Sequence, residues 1–513
     1  MRIGYFLGGL VVFGLFGSLA SAQQSKRTQM TARIDELVDE NLRDSGWEAA
    51  PACSDENFLR RVHLDLTGLP PTANEVLDFL EDTNPDKRDA LVSRLLVTPA
   101  SAAHFASTWA DWMLPDQSVS PIGVRTNGLQ TWLRNRFAEN LRYDRLVSDL
   151  LVSTGPAQTG PTAFFTALEA KPEKIAARTA RVFMGVQLDC AECHDHPFDN
   201  WTQRDFWGFA AYFAQLSANP EQAMMGVGEV GDGEEGEVML PGTEEIIPPK
   251  PLVKTGLSGL ASGTRRQQLT LWLTTRENPF LAQATVNRVW ALLMGRGLIE
   301  PVDDMRSLDI ASHPQLLEEL STHFMDSGYD LRDLIQTITS TQAYRRATTH
   351  SSGIPPEDSY AVMASKPLTE KQLVGSLASV ARQIAGPDDT TADSLAVQLG
   401  KLRGEASEAK LGIVSALVTL HGDLFDRVSG EESSRLLKAL DAPHMDEHKQ
   451  LRWLFLSVLS RQPTAEEISS FSQIIHAAAP TEDDPQQTVR ASAAWRSDLL
   501  WALLNSSEFA MTP

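Results

Sequence analysis

Cysteine is scarce: three residues, Cys53, Cys190 and Cys193, in a chain of 513. That excludes a disulfide-dense scaffold, and an odd total leaves at least one thiol unpaired. Basic residues are outnumbered, 45 Lys and Arg against 67 Asp and Glu, for a formal charge of −22. No Lys/Arg-rich run stands against that balance, so general attraction to nucleic acid or to anionic lipid is excluded. Aromatics make up 7% of the chain, yet six of them (Trp201, Phe206, Trp207, Phe209, Tyr212, Phe213) fall within thirteen positions. Long apolar runs are missing beyond the first residues, and no later stretch approaches the ~20 residues a membrane span needs. G-x-S-x-G, a phosphate-binding loop and H-E-x-x-H are all absent, so none of those catalytic signatures applies.

The N-terminus carries an export pattern. Met1-Arg2 is followed by Ile3 to Phe16 almost without polar groups, and Ala20-Ser21-Ala22 places small residues before Gln23. This predicts a signal peptide over 1–22 and a periplasmic or extracellular destination. The expected partition is then a helical domain over 23–216, an acidic Gly-rich linker or small β element over 217–255, and a second helical domain over 256–513. The fold class expected is mainly α, two multi-helical domains joined by that loop or hairpin.

Apolar spacing of three and four residues carries the helical reading. Ile34, Leu37 and Val38 mark one face of a run over 31–41; Phe58, Leu59, Val62, Leu66 and Leu69 mark another, which Gly68 and Pro70-Pro71 stop. Thr72-Ala73-Asn74-Glu75 and Thr202-Gln203-Arg204-Asp205 are capping boxes, a hydroxyl and a carboxylate answering the free amides of a new helix. Ile175, Thr179, Val182, Phe183 and Val186 predict a helix running straight into Cys190. The 217–250 stretch contains short β-like runs at 238–240 and 246–247. Its acidic residues Asp232, Glu234, Glu235 and Glu237 lack the alternating spacing of a calcium loop and read as a solvated turn. Leu64 to Glu75 and Leu456 to Glu467 echo one another as an apolar helix, a Pro-Thr cap and a second helix. Leu95-Leu96 to Phe105 and Leu503-Leu504 to Phe509 extend the likeness, and Ile338 to Tyr344 offers a shorter third copy.

One stretch names a chemistry. Cys190-Ala191-Glu192-Cys193-His194 is C-x-x-C-H, two thiols spaced to reach two vinyl-derived carbons of one porphyrin edge with an imidazole adjacent for the iron. The reading is covalent haem c, anchored by Cys190 and Cys193 with His194 as axial ligand, serving electron transfer with a redox partner or other exported protein. Met224, Met225, His63 and His104 are candidates for the opposite ligand, and an open sixth position is equally compatible; His196 fits better as a hydrogen-bond donor behind the site. A second reading is non-haem: Cys190, Cys193, His194, His196 and Asp199 offer zinc-type ligands within ten positions, though no second Cys pair exists. A third is a local Cys190–Cys193 disulfide in a binding protein. A thioredoxin-like role is disfavoured because no strand precedes the motif. His63 with Asp65 reads as structural. Asn287-Arg288 with Trp290, and Asp303-Asp304 with Arg306, fit either a pocket lining or helix-tying ion pairs.

Longer strings resemble a known family. Asp65-Leu66-Thr67-Gly68-Leu69-Pro70-Pro71-Thr72, Cys190 to Phe198 and Trp201-Thr202-Gln203 are similar to the cytochrome-like first domain of a secreted planctomycete family. Asn278-Pro279-Phe280, Asn287-Arg288-Val289-Trp290, Gly295-Arg296-Gly297-Leu298, His313-Pro314, Leu316-Leu317 and Tyr344-Arg345-Arg346 are similar to its partner domain, whose function is unknown. The resemblance implies haem through the same C-x-x-C-H. Many relatives add a conventional cytochrome c domain near the N-terminus. Residues 23–50 leave no room for one, so the resemblance puts any haem at Cys190, Cys193 and His194.

Overall fold

The computed structural model describes residues 7–114, 127–157, 159–197, 199–218, 228–256, 262–306, 308–382, 429–430, 434–477 and 485–513. The protein is mainly α, as the apolar spacing predicts. It divides into two compact units, each assembled from two stretches of chain: Met1–Ala52 with Leu96–Ala364, and Cys53–Leu95 with Ser365–Pro513. The partition drawn from composition runs linearly along the sequence, and these units interleave it.

The first unit opens with one helix, Leu7–Ser45, longer than the predicted 31–41 run. Ile34 and Val38 are fully buried, as their spacing requires. Polar residues of the same helix are also used. Arg27 pairs with Asp333 at 2.9 Å and Arg33 with Glu319 at 3.0 Å. Asp35 accepts the amides of Gln342 and Ala343, and Arg346, almost wholly buried, reaches Asp39 at 2.6 Å. These contacts tie the helix to Pro314–Asp326, Leu331–Thr339 and the turn after them. Asp330 starts Leu331–Thr339 by accepting the amides of Arg332 and Asp333, which frees Leu334, Ile335 and Ile338 to face the core.

Strands are short. Gly155–Pro156 and Leu216–Ser217 flank Glu229–Asp232 in an antiparallel sheet, with Gly155 opposite Val230 and Leu216 opposite Asp232. The predicted hairpin exists as Val238–Met239 paired with Ile246–Ile247, and its inner residues Val238 and Ile247 pack with Leu240 and Ala211. The acidic segment beside it is more than a solvated turn. Asp232 binds Arg266 at 2.6 Å, whose buried guanidinium also donates to the carbonyls of Leu151 and Ser153, and Glu237 pairs with Arg265 at 2.7 Å. A buried arginine needs such partners, and the sequence pattern alone did not reveal it.

The second unit contains the echoed hairpins. Asp55–Thr67 ends at Gly68 in the left-handed region (φ 70°), and Thr72 and Glu75 form the predicted capping box of Ala73–Glu81. Glu447–Leu459 likewise ends on left-handed Ser460, and Thr464 exchanges the same two bonds with Glu467 ahead of Ala465–Ala477. A further likeness lies in the turns: the hydroxyls of Thr98, Thr341 and Ser506 each accept the amide three residues on. The echo is therefore one local bonding scheme reused.

The Asp55–Thr67 helix carries buried charge whose bonds are long-range, while Arg60 Nε and His63 Nε2 find no hydrogen-bond partner among the described residues. Arg60 donates to the Val458 carbonyl, the Ser460 hydroxyl and the Phe509 carbonyl. Asp65 holds Lys366 at 2.6 Å, and Lys366–Pro367 pairs with Met511–Thr512. The core alongside gathers Leu377, Leu437, Leu454, Phe455, Val458, Leu500 and Phe509.

Candidate functional site

The approach to Cys190 is set by a helix that cannot continue. Pro172–Thr179 begins with proline at its first position, widens into a π turn over Ala180–Met184, and stops at Gly185 with φ 67°. The predicted helix straight into Cys190 is thus corrected: it ends at Gly185, whose left-handed backbone turns the chain. A Cβ at that position would stand 2.6 Å from the Met305 sulfur and 2.8 Å from its Cγ, and the Met305 amide donates to the Gly185 carbonyl at 2.7 Å. The segment around Met305 therefore fixes where the loop begins.

Val186 and Leu188 are buried, and then Asp189–Glu192 forms one turn of 3₁₀ helix. Ala191 is fully buried while Cys190 and Cys193 are exposed. Cys190 lies within this turn and Cys193 caps its end, so both thiols reach solvent beside the buried Ala191. Neither is paired with another cysteine, and the buried Cys53 is free as well.

His194 follows at the end of the turn. Its Nδ1 lies 2.8 Å from the Asp195 carbonyl, an acceptor only, so Nδ1–H donates to it. A backbone carbonyl behind an imidazole is the arrangement that orients a metal-ligating histidine and raises its basicity.

The helix Gln203–Ala210 clamps this loop. Thr202 and Asp205 form the predicted capping box. The Gln203 side chain donates to the carbonyls of Glu192 and Cys193, both at 3.0 Å, and its amide to the Asp195 carboxylate at 2.8 Å. Trp207 Nε1 adds a bond to the Glu192 carbonyl at 3.1 Å, and the His196 amide donates to the Trp201 carbonyl. Burial opposes ionisation of Asp205, but Lys250 at 2.6 Å and the Thr202 bonds outweigh it and hold the carboxyl below its usual range. The Glu192 carboxyl is pushed up by burial and by nearby Glu173 and Asp189. Of the aromatic run, Phe206, Phe209, Tyr212 and Phe213 are core; Trp201 and Trp207 border the loop.

The other candidates lie elsewhere. Met224 and Met225 fall outside the described residues. His63 belongs to the second unit, where burial pushes its pKa down to about 4 and Nε2 has no hydrogen-bond partner. His104 lies on Pro99–Met113 against Phe105. Asp199 accepts the amide of Asn200 next to it. Among the described residues no three His, Cys, Asp or Glu side chains are gathered as a metal cage would gather them, the Cys190 to Asp199 set included. The strings of the second half are scaffold: Asn287 exchanges two bonds with Ile299 at 2.9 Å, and buried His313 packs on Tyr360. Sequence reasoning missed Arg181, whose guanidinium binds Asp189 at 2.7 Å directly ahead of Cys190, and Gln187, which donates to Asp303. The Arg178/Arg181 pair at i, i+3 was the only available signal for the former.

Residues 33–218 match the family model PSCyt2, described as a protein of unknown function (DUF1549). Residues 265–399 match PSD1, described as a protein of unknown function (DUF1553). The pairing of two domains of unknown function, expected from the motif strings, is therefore present. The first match runs through Cys53–Leu95, so it does not coincide with one compact unit. No curated protein and no solved structure matches the chain.

Proposed function

We propose that Cys190, Cys193 and His194 hold a covalently attached c-type haem, and that the protein is an exported electron-transfer or redox protein. The observation carrying this reading is the combination within five residues of two free, exposed thiols and an imidazole whose Nδ1 donates to the Asp195 carbonyl. Each thiol would add across a vinyl group, sulfur to one carbon and hydrogen to the other, so attachment needs reduced cysteines and no oxidant. When bound, the haem supplies a one-electron iron couple.

The chain's own residues do the rest. Asp195 fixes the His194 tautomer through its carbonyl, and through its carboxylate it fixes the start of the Gln203 helix. Gln203 and Trp207 hold the carbonyls of Glu192 and Cys193, which fixes the backbone between the two thiols. Residues 1–22 supply the export step that thiol attachment outside the cytoplasm requires. No helix among the described residues is long and apolar enough to cross a membrane.

Expression with a cytochrome c maturation system, followed by a denaturing gel stained for haem peroxidase activity, tests the proposal. A band that stays with the chain and disappears in Cys190→Ala and Cys193→Ala is expected. Good export without a band would remove the haem reading.

A further inference from the structure

Three guanidiniums, Arg178, Arg181 and Arg288, lie close enough to act on one another, and Arg181 binds Asp189 directly ahead of Cys190. Arg178 and Arg181 lie one turn apart on the helix leading to the motif, and Arg288 comes from Phe280–Met294. Arg181 takes both nearby carboxylates, Asp189 at 2.7 Å and Asp303 at 3.6 Å. Arg178 donates to the Trp112 carbonyl, and Arg288 donates to the Arg181 carbonyl while lying over the Trp112 ring. Among the described residues neither has a carboxylate within ion-pair reach.

Arg288 is 8% exposed and its Nε has no hydrogen-bond partner. Burial lowers the pKa of both Arg288 and Arg178, and the charge of Arg181 adds to it in each; Asp303, with Asp189 for Arg178, opposes this without reversing it. A buried, under-bonded guanidinium in a cluster of like charge is stabilised most directly by an oxyanion, and planar guanidiniums match a carboxylate bidentately. Arg181 remains about one-third exposed, which leaves the cluster reachable.

We propose that Arg178, Arg181 and Arg288 form a seat for a ligand carboxylate next to Cys190. Resting on the haem reading, that carboxylate is a haem propionate; without haem, the same seat takes a small free dicarboxylate.

The test uses the full chain, purified without haem and with reduced thiols, in two arms. In the first, thermal melting is compared in succinate and in chloride at equal ionic strength. In the second, haem and haem dimethyl ester, whose propionates are blocked, are titrated and followed by absorbance. Wild type is expected to bind haem about tenfold more tightly than the ester, the loss of one charge-assisted contact, and Arg178→Gln to bind the two equally. Arg178→Gln surrenders one backbone hydrogen bond, so it keeps its helical circular dichroism; Arg288→Gln is the second variant, scored only where its dichroism is intact. Succinate that raises the melting temperature of wild type but not of Arg178→Gln, with no haem bound, keeps the seat for a free dicarboxylate while the haem reading falls. Haem attached but bound no better than its ester, with succinate inert, overturns the seat and leaves the haem reading standing. Equal protection by succinate in wild type and both variants overturns it too.

Discussion

Gly185→Ala should destabilise the protein by about 2–5 kcal/mol, and the figure follows from two separable terms. A non-glycine residue in the left-handed region costs roughly 1–2 kcal/mol. The new methyl would also stand 2.6 Å from the Met305 sulfur, 2.8 Å from Cγ and 3.4 Å from Cβ. Swinging the thioether aside clears only the first of these. The Met305 amide is bound to the Gly185 carbonyl at 2.7 Å, so the backbone resists retreat. Overpacking of this kind costs about 1–3 kcal/mol. Met305→Ala removes the collision and leaves the backbone strain, so the double variant Gly185→Ala/Met305→Ala should recover about 1–2 kcal/mol relative to the sum of the singles. Urea titration followed by circular dichroism measures all three variants. A Gly185→Ala cost below about 0.5 kcal/mol, or strictly additive singles, would refute the claim that the Met305 segment sets the start of the cysteine loop.

Arg60→Leu should cost about 3 kcal/mol, read by the same titration, because three buried acceptors on Val458, Ser460 and Phe509 lose their donor; a cost under about 1 kcal/mol would mean water replaces it. Thr202→Ala should cost about 1 kcal/mol through loss of the capping box, and Gln203→Ala should lower the yield of haem-stained product several-fold at equal export, since two carbonyls of the turn lose their clamp. Glu467, bound by Arg461 and capped onto Thr464, has its pKa held down to about 2. A depressed carboxyl contributes stability that is present above the unfolded value, ~4.3, and is lost as pH falls toward 2; after solvent screening this amounts to about 1 kcal/mol. Glu467→Gln should flatten the stability profile between pH 5 and pH 2, and an unchanged profile would contradict the assignment.

Local chemistry was legible in the sequence and long-range assembly was not. Thr72 with Glu75 and Thr202 with Asp205 announced helix starts that exist, because a capping box is satisfied within four residues. Gly68 announced a stop, and the short apolar runs near 238 and 247 announced the hairpin. The C-x-x-C-H motif was legible for the same reason: Cys190, Cys193 and His194 sit within five positions. Missed features all depend on partners far along the chain. Gly155–Pro156 is a strand only because Glu229–Asp232 lies beside it. Arg60, Arg266 and Arg346 show no local sign of burial, yet they are buried, since their acceptors are carbonyls and carboxylates that no local pattern specifies. The helix break at Gly185 was hidden because Val186 kept the apolar spacing, while the left-handed turn and Met305 decided otherwise. The interleaving of the two compact units has the same origin.

The central claim is most directly tested by the intact mass of the exported chain. After expression with cytochrome c maturation, the account predicts a species heavier than the chain from Gln23 by one haem, whose pyridine haemochrome spectrum reports two thioether bonds. It also predicts that the increment is lost in Cys190→Ala/Cys193→Ala. A fully exported, reduced chain at its unmodified mass, with no haemochrome band, would contradict it.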